Sequence, residues 1–162
     1  MQNKITHSKL KEVVEYDPVS GLFARLTRFS SNALIGPISI KPDSNGYIRV
    51  MLYGVRYKAH RLAWFYMTGE WPKNIDHKDG IRNNNKFSNL RSVTHKINCQ
   101  NQRKPRTNNS AGALGVHYRR GKFVADIGVD GRTVHLGAFS NVEDASLSYI
   151  LAKRKFHEGC LL

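Results

Sequence analysis

The chain has 162 residues, enough for one ordinary domain or two small ones and too few for a large enzyme. Its 26 lysines and arginines outnumber 12 acidic residues, which gives a formal net charge of +14. Such a surplus repels itself in a compact state, so nucleic acid is the first partner to consider. The apolar share of 40 % argues against wholesale disorder.

Hydropathy and cysteine content exclude further classes. No apolar run approaches the ~20 residues of a membrane-spanning helix, and the polar start lacks the apolar region of a signal peptide. We therefore expect a soluble, cytoplasmic protein without a membrane partner. Cys99 and Cys160 are too few for a four-cysteine zinc site and form either one disulfide or two idle thiols. Any metal is then expected to have oxygen and nitrogen ligands, which favours Mg²⁺ or Mn²⁺.

The first half of the chain alternates short predicted elements. Apolar spacing predicts an amphipathic helix over residues 5–15, then a turn at Asp17–Gly21 and a strand from Leu22. Residues 28–45 give no assignment. The next predicted elements are a strand near 47–52, a turn at Tyr53–Gly54, a strand near 55–58 and a helix over about 60–68, stopped by Gly69 and Pro72.

The middle of the chain predicts a unit of strand, loop, strand and helix. A short apolar stub ends at Asp76 and His77 and is followed by a loop rich in Asn, Gly and Lys. A second strand is predicted over 90–93. Thr94 is a suitable N-cap for a helix that runs to about Gln102.

The last third of the chain predicts a separate module. Residues 102–112 lack hydrophobic periodicity and are interpreted as a basic linker. Beyond the linker, the predicted elements are strands over 114–118, 122–129 and 133–139, with a hairpin turn at Asp130–Gly131, and a helix over about 142–157. The helix carries an apolar stripe at spacings of three and four residues: Val142, Ala145, Tyr149, Ala152 and Phe156.

Four residues of the middle unit, Asp76, His77, Asn89 and Asn98, suit phosphodiester hydrolysis. That reaction needs a base to activate water and a cation to stabilise the departing oxygen. Adjacent strand residues point to opposite faces, so Asp76 and His77 can serve one site only if the strand ends and bends there. The Gly-containing segment "DHKDG" allows this bend. A helix from Thr94 would then bring the amide oxygen of Asn98 back towards Asp76 as a second oxygen ligand.

The segments "AHRLAWFYMTGEWP", "IDHKDG" and "SNLR" together resemble the HNH homing endonucleases of phages over residues 46–101. This resemblance implies a ββα-metal nuclease core. It implies that His77 is the general base, that Asp76 and Asn98 hold one divalent metal ion, and that Asn89 braces the loop through hydrogen bonds.

Other polar residues near this motif can be interpreted as structural or surface residues as well as functional ones, and these alternatives stay open. Asp79 is interpreted as a turn residue because Gly80 follows it. His60 is expected to have a structural or phosphate-contacting role. Arg61 and Arg91 either grip phosphates or are surface charges. His95, on the predicted helix, either contacts phosphate or is simply exposed.

The carboxy-terminal module resembles the plant ethylene-response-factor (Apetala-two) DNA-binding domain. The resemblance is carried by Gly115-Val116, Lys122-Phe123, His135-Leu136-Gly137, Phe139, Glu143 and Ala145. It implies that the three-stranded sheet enters the major groove while the helix packs behind it. Strand alternation assigns Phe123, Ala125 and Ile127 to the helix side and Lys122, Val124 and Asp126 to the DNA side. The predicted DNA contacts of the chain are Arg61, Arg91, Arg103, Lys104, Arg106, Arg119, Arg120, Lys122, Arg132 and His135.

The sequence thus predicts an α+β protein, with a ββα-metal core and a small three-stranded antiparallel sheet packed on one helix. The expected division is a leader over 1–45, the nuclease core over 46–101, the linker over 102–112 and the DNA-binding domain over 113–162. The expected function is metal-dependent cleavage of double-stranded DNA. One site nicks one strand, so double-strand cleavage requires a homodimer or two sequential events. The alternative is a non-catalytic DNA-binding regulator that keeps the nuclease scaffold.

Overall fold

The computed structural model describes residues 5–28, 31 and 33–161 and divides the chain into two compact units, Met1–Val93 and Thr94–Leu162. Each unit combines helices with small antiparallel sheets, which is the mixed α and β composition that the sequence predicts. In the described residues no helix is long and apolar enough to cross a membrane. Both cysteines are free thiols.

The first unit begins with a helix and a three-stranded sheet. Helix α1 (His7–Val13) is N-capped by Thr6, whose side chain accepts a hydrogen bond from the backbone N–H of Lys9. The sheet contains β1 (Val14–Tyr16), β2 (Phe23–Arg25) and β3 (Gly36–Pro37) in the order β1-β2-β3. The turn between β1 and β2 is closed by the carboxylate of Asp17, as the sequence predicts.

A hairpin and a helix follow. Strands β4 (Arg49–Leu52) and β5 (Val55–Lys58) are joined by a two-residue turn in which Tyr53 and Gly54 both have positive φ. That geometry matches the right-handed twist of the strands. Helix α2 (Ala59–Thr68) follows at once and ends at Gly69, whose left-handed backbone lets its N–H bond to the carbonyl of Phe65.

The last elements of the first unit are β6 (Asn74–His77), a 3₁₀ turn (Phe87–Asn89) and β7 (Leu90–Val93). Strands β6 and β7 pair antiparallel. The core beneath these elements is built from residues of every element from α1 to β7 except β3. Its buried members include Leu10, Val14, Tyr16, Phe23, Val50, Leu52, Leu62, Phe65, Ile75 and Leu90.

The amino-terminal 45 residues therefore belong to the same unit as the hairpin and β6. Tyr16 donates a hydrogen bond of 2.6 Å to the carbonyl of Asn85, in the loop between β6 and β7. The N–H of Phe87 bonds to the carbonyl of Pro18 in the same region. Residues of the leader and of the motif thus share one hydrophobic core. Sequence alone gave no signal for these long-range contacts.

The second unit begins with α3 (His95–Gln100), capped by Thr94 as the sequence predicts. Its sheet contains β8 (Val116–Arg119), β9 (Lys122–Val129) and β10 (Arg132–Phe139) in the order β10-β9-β8. Helix α4 (Val142–Phe156) starts at Asn141, whose side chain accepts from the N–H of Asp144. The sheet and α4 share a small core of Val116, Ala125, Ile127, Ala145, Tyr149 and Ala152.

Helix α4 departs from the predicted stripe at its end. Phe156 is 41 % exposed, whereas Lys153 is 1 % exposed. Lys153 follows Tyr149 by four residues and so lies on the same face of the helix. Its ammonium donates a hydrogen bond to the carbonyl of Gln102, and burial lowers the pKa of this lysine. A long aliphatic stem with a bonded head thus fills the position that the stripe assigned to an aromatic ring.

The segment interpreted as a linker is hydrogen-bonded to its own unit, although it forms no helix or strand. Arg103 donates to the carbonyl of Leu161 over 2.8 Å. Asn109 donates from its amide to the carbonyls of Ala113 and Val116, each over 3.0 Å. The division between compact units consequently falls after Val93 and not within this segment.

Candidate active site

Strand β6 ends with the two residues that carry the predicted chemistry. Asp76 pairs with Arg91 of β7, and His77 pairs with Leu90. Both are buried, with exposed fractions of 7 % and 5 %. The backbone turns directly after them, because the N–H of Gly80 bonds to the carbonyl of His77 over 2.9 Å. The strand end and bend that the sequence requires here are present.

Asp76 forms an ion pair across the ladder. The guanidinium of Arg91 donates to Oδ2 of Asp76 from Nε over 2.9 Å and from Nη2 over 2.7 Å. Charge-assisted hydrogen bonds of this length hold a carboxylate firmly. The sequence left two interpretations of Arg91 open, a phosphate contact and a surface charge. The structure adds a third, because Arg91 compensates the charge of a buried aspartate.

Asn89 braces the loop between the two strands. Its amide Nδ2 donates to Oδ1 of Asp79 over 3.0 Å and to the carbonyl of Asn84 over 2.9 Å. Its Oδ1 accepts from the N–H of Asp79 over 3.1 Å, and its carbonyl accepts from the N–H of Lys78. These bonds tie the loop directly after His77 to the start of β7. The contribution of Asn89 to catalysis stays a prediction.

Asp79 is the centre of that loop. Burial opposes its ionised form, but hydrogen bonds from the Ile81 N–H and from the side chains of Asn84 and Asn89 outweigh burial and lower its pKa. The Asn84 amide lies 2.6 Å from Oδ2. Asp79 is therefore an ionised turn residue whose donors all belong to the loop, in line with its interpretation from sequence.

His77 lies in an aromatic pocket. Its ring is 4.9 Å from the ring of His60, at an interplanar angle of 75°, and 6.3 Å from the ring of Tyr47. Burial is the largest influence and lowers the pKa of His77. A hydrogen bond with Asn85 opposes that effect. An imidazole that stays neutral near pH 7 is in the form that a general base requires.

His60 is a buried partner that the sequence interpretation did not assign to the catalytic group. It occupies the first turn of α2 and is 5 % exposed. Burial first, and then the charges of His77, Lys58 and Arg61, lower its pKa to about 3. Within the described residues its Nδ1 has no hydrogen-bond partner. A neutral His60 can pack against His77 without repelling it.

Tyr47 was not singled out from the sequence, although its ring touches both histidines. It lies 5.1 Å from His60. The ammonium of Lys58 is 4.4 Å from the centre of the Tyr47 ring, and the guanidinium of Arg82 is 5.3 Å from it. The sequence signal for Tyr47 was its position two residues before Arg49, which places both side chains on the same face of the extended chain.

Arg61 has a structural role in the first unit. Its guanidinium donates to the carbonyl of Pro72 over 2.7 Å and to the carbonyl of Lys73 over 3.2 Å. These bonds connect α2 to the segment that leads into β6. They satisfy two carbonyls, so the structure favours an anchoring role over the predicted phosphate contact.

Asn98 and His95 lie on α3, in the second unit. The helix starts where Thr94 accepts from the N–H of Ile97 over 3.3 Å. The ring of His95 is 3.4 Å from the sulfur of Cys99 on the next turn. The assignment of Asn98 as a metal ligand stays a prediction from the sequence.

The oxygen chemistry at the end of β6 fits a magnesium ion. Within the described residues there is no group of three or more His, Cys, Asp or Glu side chains that could hold a metal ion. Mg²⁺ does not need such a cage, since it keeps several waters and is bound by one or two carboxylates together with substrate phosphates. The fixed carboxylate of Asp76 is an oxygen donor of that kind.

The basic side chains of the second unit are distributed over both faces of its sheet. Arg119 pairs with Lys122, and Asp126 pairs with His135 over a side-chain distance of 2.8 Å, all on the face opposite Ala125 and Ile127. Arg132 pairs with Val129 and therefore lies on the same face of the sheet as Ala125 and Ile127. Its predicted place beside Lys122 is wrong, because the two-residue turn at Asp130–Gly131 fixes this register.

The remaining predicted DNA contacts are exposed. Arg120 has a positive φ of 50° in the turn before Gly121. Lys104 and Arg106 are exposed in the hydrogen-bonded segment that follows α3. His117 lies 3.5 Å from Asp126, on the side opposite His135, so this carboxylate stands between two histidines.

Comparison with known proteins identifies the segment that contains these residues. Residues 57–100 match the model of the HNH endonuclease family. The chain is also similar to the DNA endonuclease I-HmuI of Bacillus phage SP01, with 39 % identity over 64 residues, which are 36 % of this chain and 37 % of the relative. The chain thus spans well under two thirds of that relative. No solved structure matches significantly.

The match begins at the end of β5 and extends through α2, β6, β7 and α3. It contains the buried pair Asp76 and His77 together with Asn89, and it includes the neutral His60 that packs against His77. The family model covers about a quarter of the chain, so it describes this segment. The similarity of this chain to the HNH endonuclease family therefore extends over residues 57–100.

Proposed function

We propose that this protein is a metal-dependent DNA endonuclease of the phage homing or nicking type. The observation that carries the proposal is the imidazole of His77, which is buried next in sequence to the carboxylate that Arg91 holds at the end of β6. A buried histidine kept neutral next to an anionic ligand is the arrangement that a hydrolytic base requires. The segment that provides it matches the HNH endonuclease family.

In the proposed reaction, water attacks the scissile phosphorus while a ring nitrogen of His77 takes the proton of that water. The bond from phosphorus to the 3′ oxygen breaks, and the departing oxygen receives a proton from solvent. The products are a 5′-phosphate and a 3′-hydroxyl. Asn89 holds the loop after His77 and keeps the imidazole directed at the water.

Asp76 and Asn98 are the proposed ligands of a divalent metal, Mg²⁺ or Mn²⁺. When bound, the metal neutralises the phosphate and the departing oxygen. Arg91 holds the carboxylate of Asp76 fixed in the ladder, so this carboxylate is positioned before the metal or DNA arrives. Each chain provides one such set and is proposed to nick one strand. Cleavage of both strands requires a homodimer or two events.

The second unit is proposed to be the module that adds DNA affinity. Its exposed Arg119, Lys122 and His135 lie on the sheet face that does not contact α4. Side chains of this kind contact phosphates and read guanine edges. The resemblance of this unit to the ethylene-response-factor domain supports the same face for DNA.

The alternative is a DNA-binding regulator without nuclease activity. The observation that favours it is the ion pair itself, because Arg91 already neutralises the carboxylate proposed to hold the metal. The two functions differ in whether DNA is cleaved after it is bound.

The experiment that separates them is a plasmid-nicking assay with Mg²⁺, alongside DNA binding measured in EDTA. We expect nicking by the full chain, loss of nicking in EDTA, and a loss of about 10²–10⁴-fold in His77→Gln. The matched control is His7→Gln, at a half-buried position of the same unit, which retains a donor for the Tyr66 carbonyl. Binding without nicking across Mg²⁺ and Mn²⁺ would establish the regulator.

A further inference from the structure

The hairpin β4–β5 has a face that the proposed chemistry does not use. Val50 and Leu52 point into the core, so Arg49 and Met51 point outward in the alternation of the strand. The register pairs Arg49 with Lys58 and Met51 with Arg56. These four outward side chains, together with Tyr47, are called the hairpin strip below.

The hairpin strip runs into the candidate active site. Tyr47 precedes Arg49 by two residues, so its side chain lies on the same face of the extended chain as that of Arg49. Its ring lies 6.3 Å from that of His77. Lys58 covers this ring at 4.4 Å, and Arg82 lies 5.3 Å from its centre. Arg82 is held in place by a 3.0 Å hydrogen bond to the carbonyl of Asn45.

The far end of the hairpin strip borders a basic groove. The groove has a volume of about 300 Å³ and is lined by Ser39, Lys41, Pro42, Asp43, Arg49 and Arg56. Asp43 is its acidic member and pairs with Arg49 over 2.7 Å. In the part of the chain that the structure describes, Lys41 and Arg56 form no salt bridge. The groove therefore has excess positive charge after its internal pair is counted.

The dimensions and chemistry of this face suit a nucleic-acid backbone. From Tyr47 to Met51 a strand advances about 13 Å, which corresponds to about four nucleotide steps along one strand of B-DNA. The guanidinium and ammonium groups of this face are N–H donors of the kind from which phosphate oxygens accept hydrogen bonds. The strip also ends at the proposed base, where a scissile phosphate must lie.

We propose that the hairpin strip, with Lys41 and Arg82, binds the phosphate backbone of the cleaved DNA strand on one side of the scissile phosphate. This assignment rests on the proposed nuclease function and extends it to a surface that no sequence signal indicated. Tyr47 is the point at which the strand passes from the strip to His77. Lys58 and Arg82, stacked on that ring, contact the phosphates nearest the cut.

The test measures binding in place of cleavage. The full chain with His77→Ala is titrated in EDTA against a labelled duplex of about 30 base pairs of arbitrary sequence, since phosphate contacts are independent of sequence. The salt dependence of the binding constant is compared with that of Lys41→Gln/Arg56→Gln in the same background. Both substituted residues are exposed, and thermal melts verify that the fold is unchanged.

We expect the double variant to bind about tenfold more weakly at low salt and to lose about two units of salt slope, one for each phosphate contact. Lys11→Gln, on α1 of the same unit, is the control and keeps the parental slope. Equal slopes for the parent and the double variant would overturn the proposal, as would an equal loss in Lys11→Gln. Because no cleavage is measured, these results hold even if the chain does not cut DNA.

Discussion

Arg91 lies 2.7 Å from the buried carboxylate of Asp76, directly opposite it in the β6–β7 ladder. The two charges compensate each other at the position where the resemblance expects a metal ligand. Removing one partner of a buried ion pair leaves an uncompensated charge, which costs more than the pair itself contributes.

Substitution of Arg91 by Met should therefore destabilise the first unit. We expect a loss of about 3 kcal/mol in the free energy of unfolding, since the buried Asp76 loses its guanidinium partner. Urea denaturation measures it. The double variant Asp76→Asn/Arg91→Met should recover most of the loss, and a single variant as stable as the parent would contradict this account of the pair.

Substitution of Asn89 by Ala should loosen the loop after His77. It removes two amide donations and one acceptance, so we expect a loss of about 1–3 kcal/mol in unfolding free energy. Hydrogen exchange at the N–H of Asp79 should accelerate. The matched control is Asn108→Ala, an exposed asparagine of the second unit, which should leave both measurements unchanged.

His60 should make stability depend on pH. Its pKa is about 3 in the folded protein and 6.5 in the unfolded chain, so only the unfolded chain gains a proton as the pH falls below 6.5. Stability should decrease on acidification through that window, by at most about 1.36 kcal/mol per pH unit. Above pH 6.5 this contribution is constant.

The measurement is urea denaturation at several pH values between 7 and about 4, where this linkage acts. His60→Phe should give a flatter dependence because it removes the group that titrates differently in the two states. A curve for His60→Phe that parallels the parent would show that His60 takes up its proton equally in the folded and unfolded states, which would contradict the lowered pKa.

The face of α4 can be tested by comparing two alanine substitutions. Lys153→Ala removes a buried side chain and its bond to Gln102, so we expect a loss of about 2–4 kcal/mol. Phe156→Ala, three residues later, should cost less than about 1 kcal/mol because Phe156 is 41 % exposed. Thermal or urea unfolding gives both values. The opposite order would indicate that Phe156, as predicted from sequence, and not Lys153 packs in the core.

The register of the second sheet predicts different roles for two arginines. Arg119→Gln should lower DNA affinity and reduce the salt slope by about one unit, since it lies beside Lys122 on the exposed face. Arg132→Gln should leave the slope unchanged because it pairs with Val129 on the other ladder face. Fluorescence anisotropy in a salt series distinguishes the two variants. Equal effects would contradict the prediction that only the face with Arg119 and Lys122 contacts DNA.

Local chemistry made much of the secondary structure predictable. Thr94 and Asn141 accept from the N–H groups of the next turn, so both helix starts follow from a residue and its close neighbours. The turns at Tyr53–Gly54 and Asp130–Gly131 likewise depend on backbone conformations that those residues tolerate. Such interactions join residues a few positions apart, and the sequence displays them directly.

The candidate site was predictable in its residue types. Asp76, His77 and Asn89 stand in a pattern whose spacing is characteristic, and the family match covers them. The predicted bend after His77 is present because Gly80 can take the left-handed conformation that the turn requires. The metal and the role of Asn98 remain predictions.

What surrounds those residues was decided by the tertiary structure alone. The contacts of His77 with His60 and Tyr47, the compensation of Asp76 by Arg91, and the burial of Lys153 all join residues that are distant in sequence or whose polarity suggests exposure. Sequence determined where helices and turns begin, because those depend on neighbouring residues. Only the packed core determined which polar groups lose water, and that loss of water keeps the proposed base neutral.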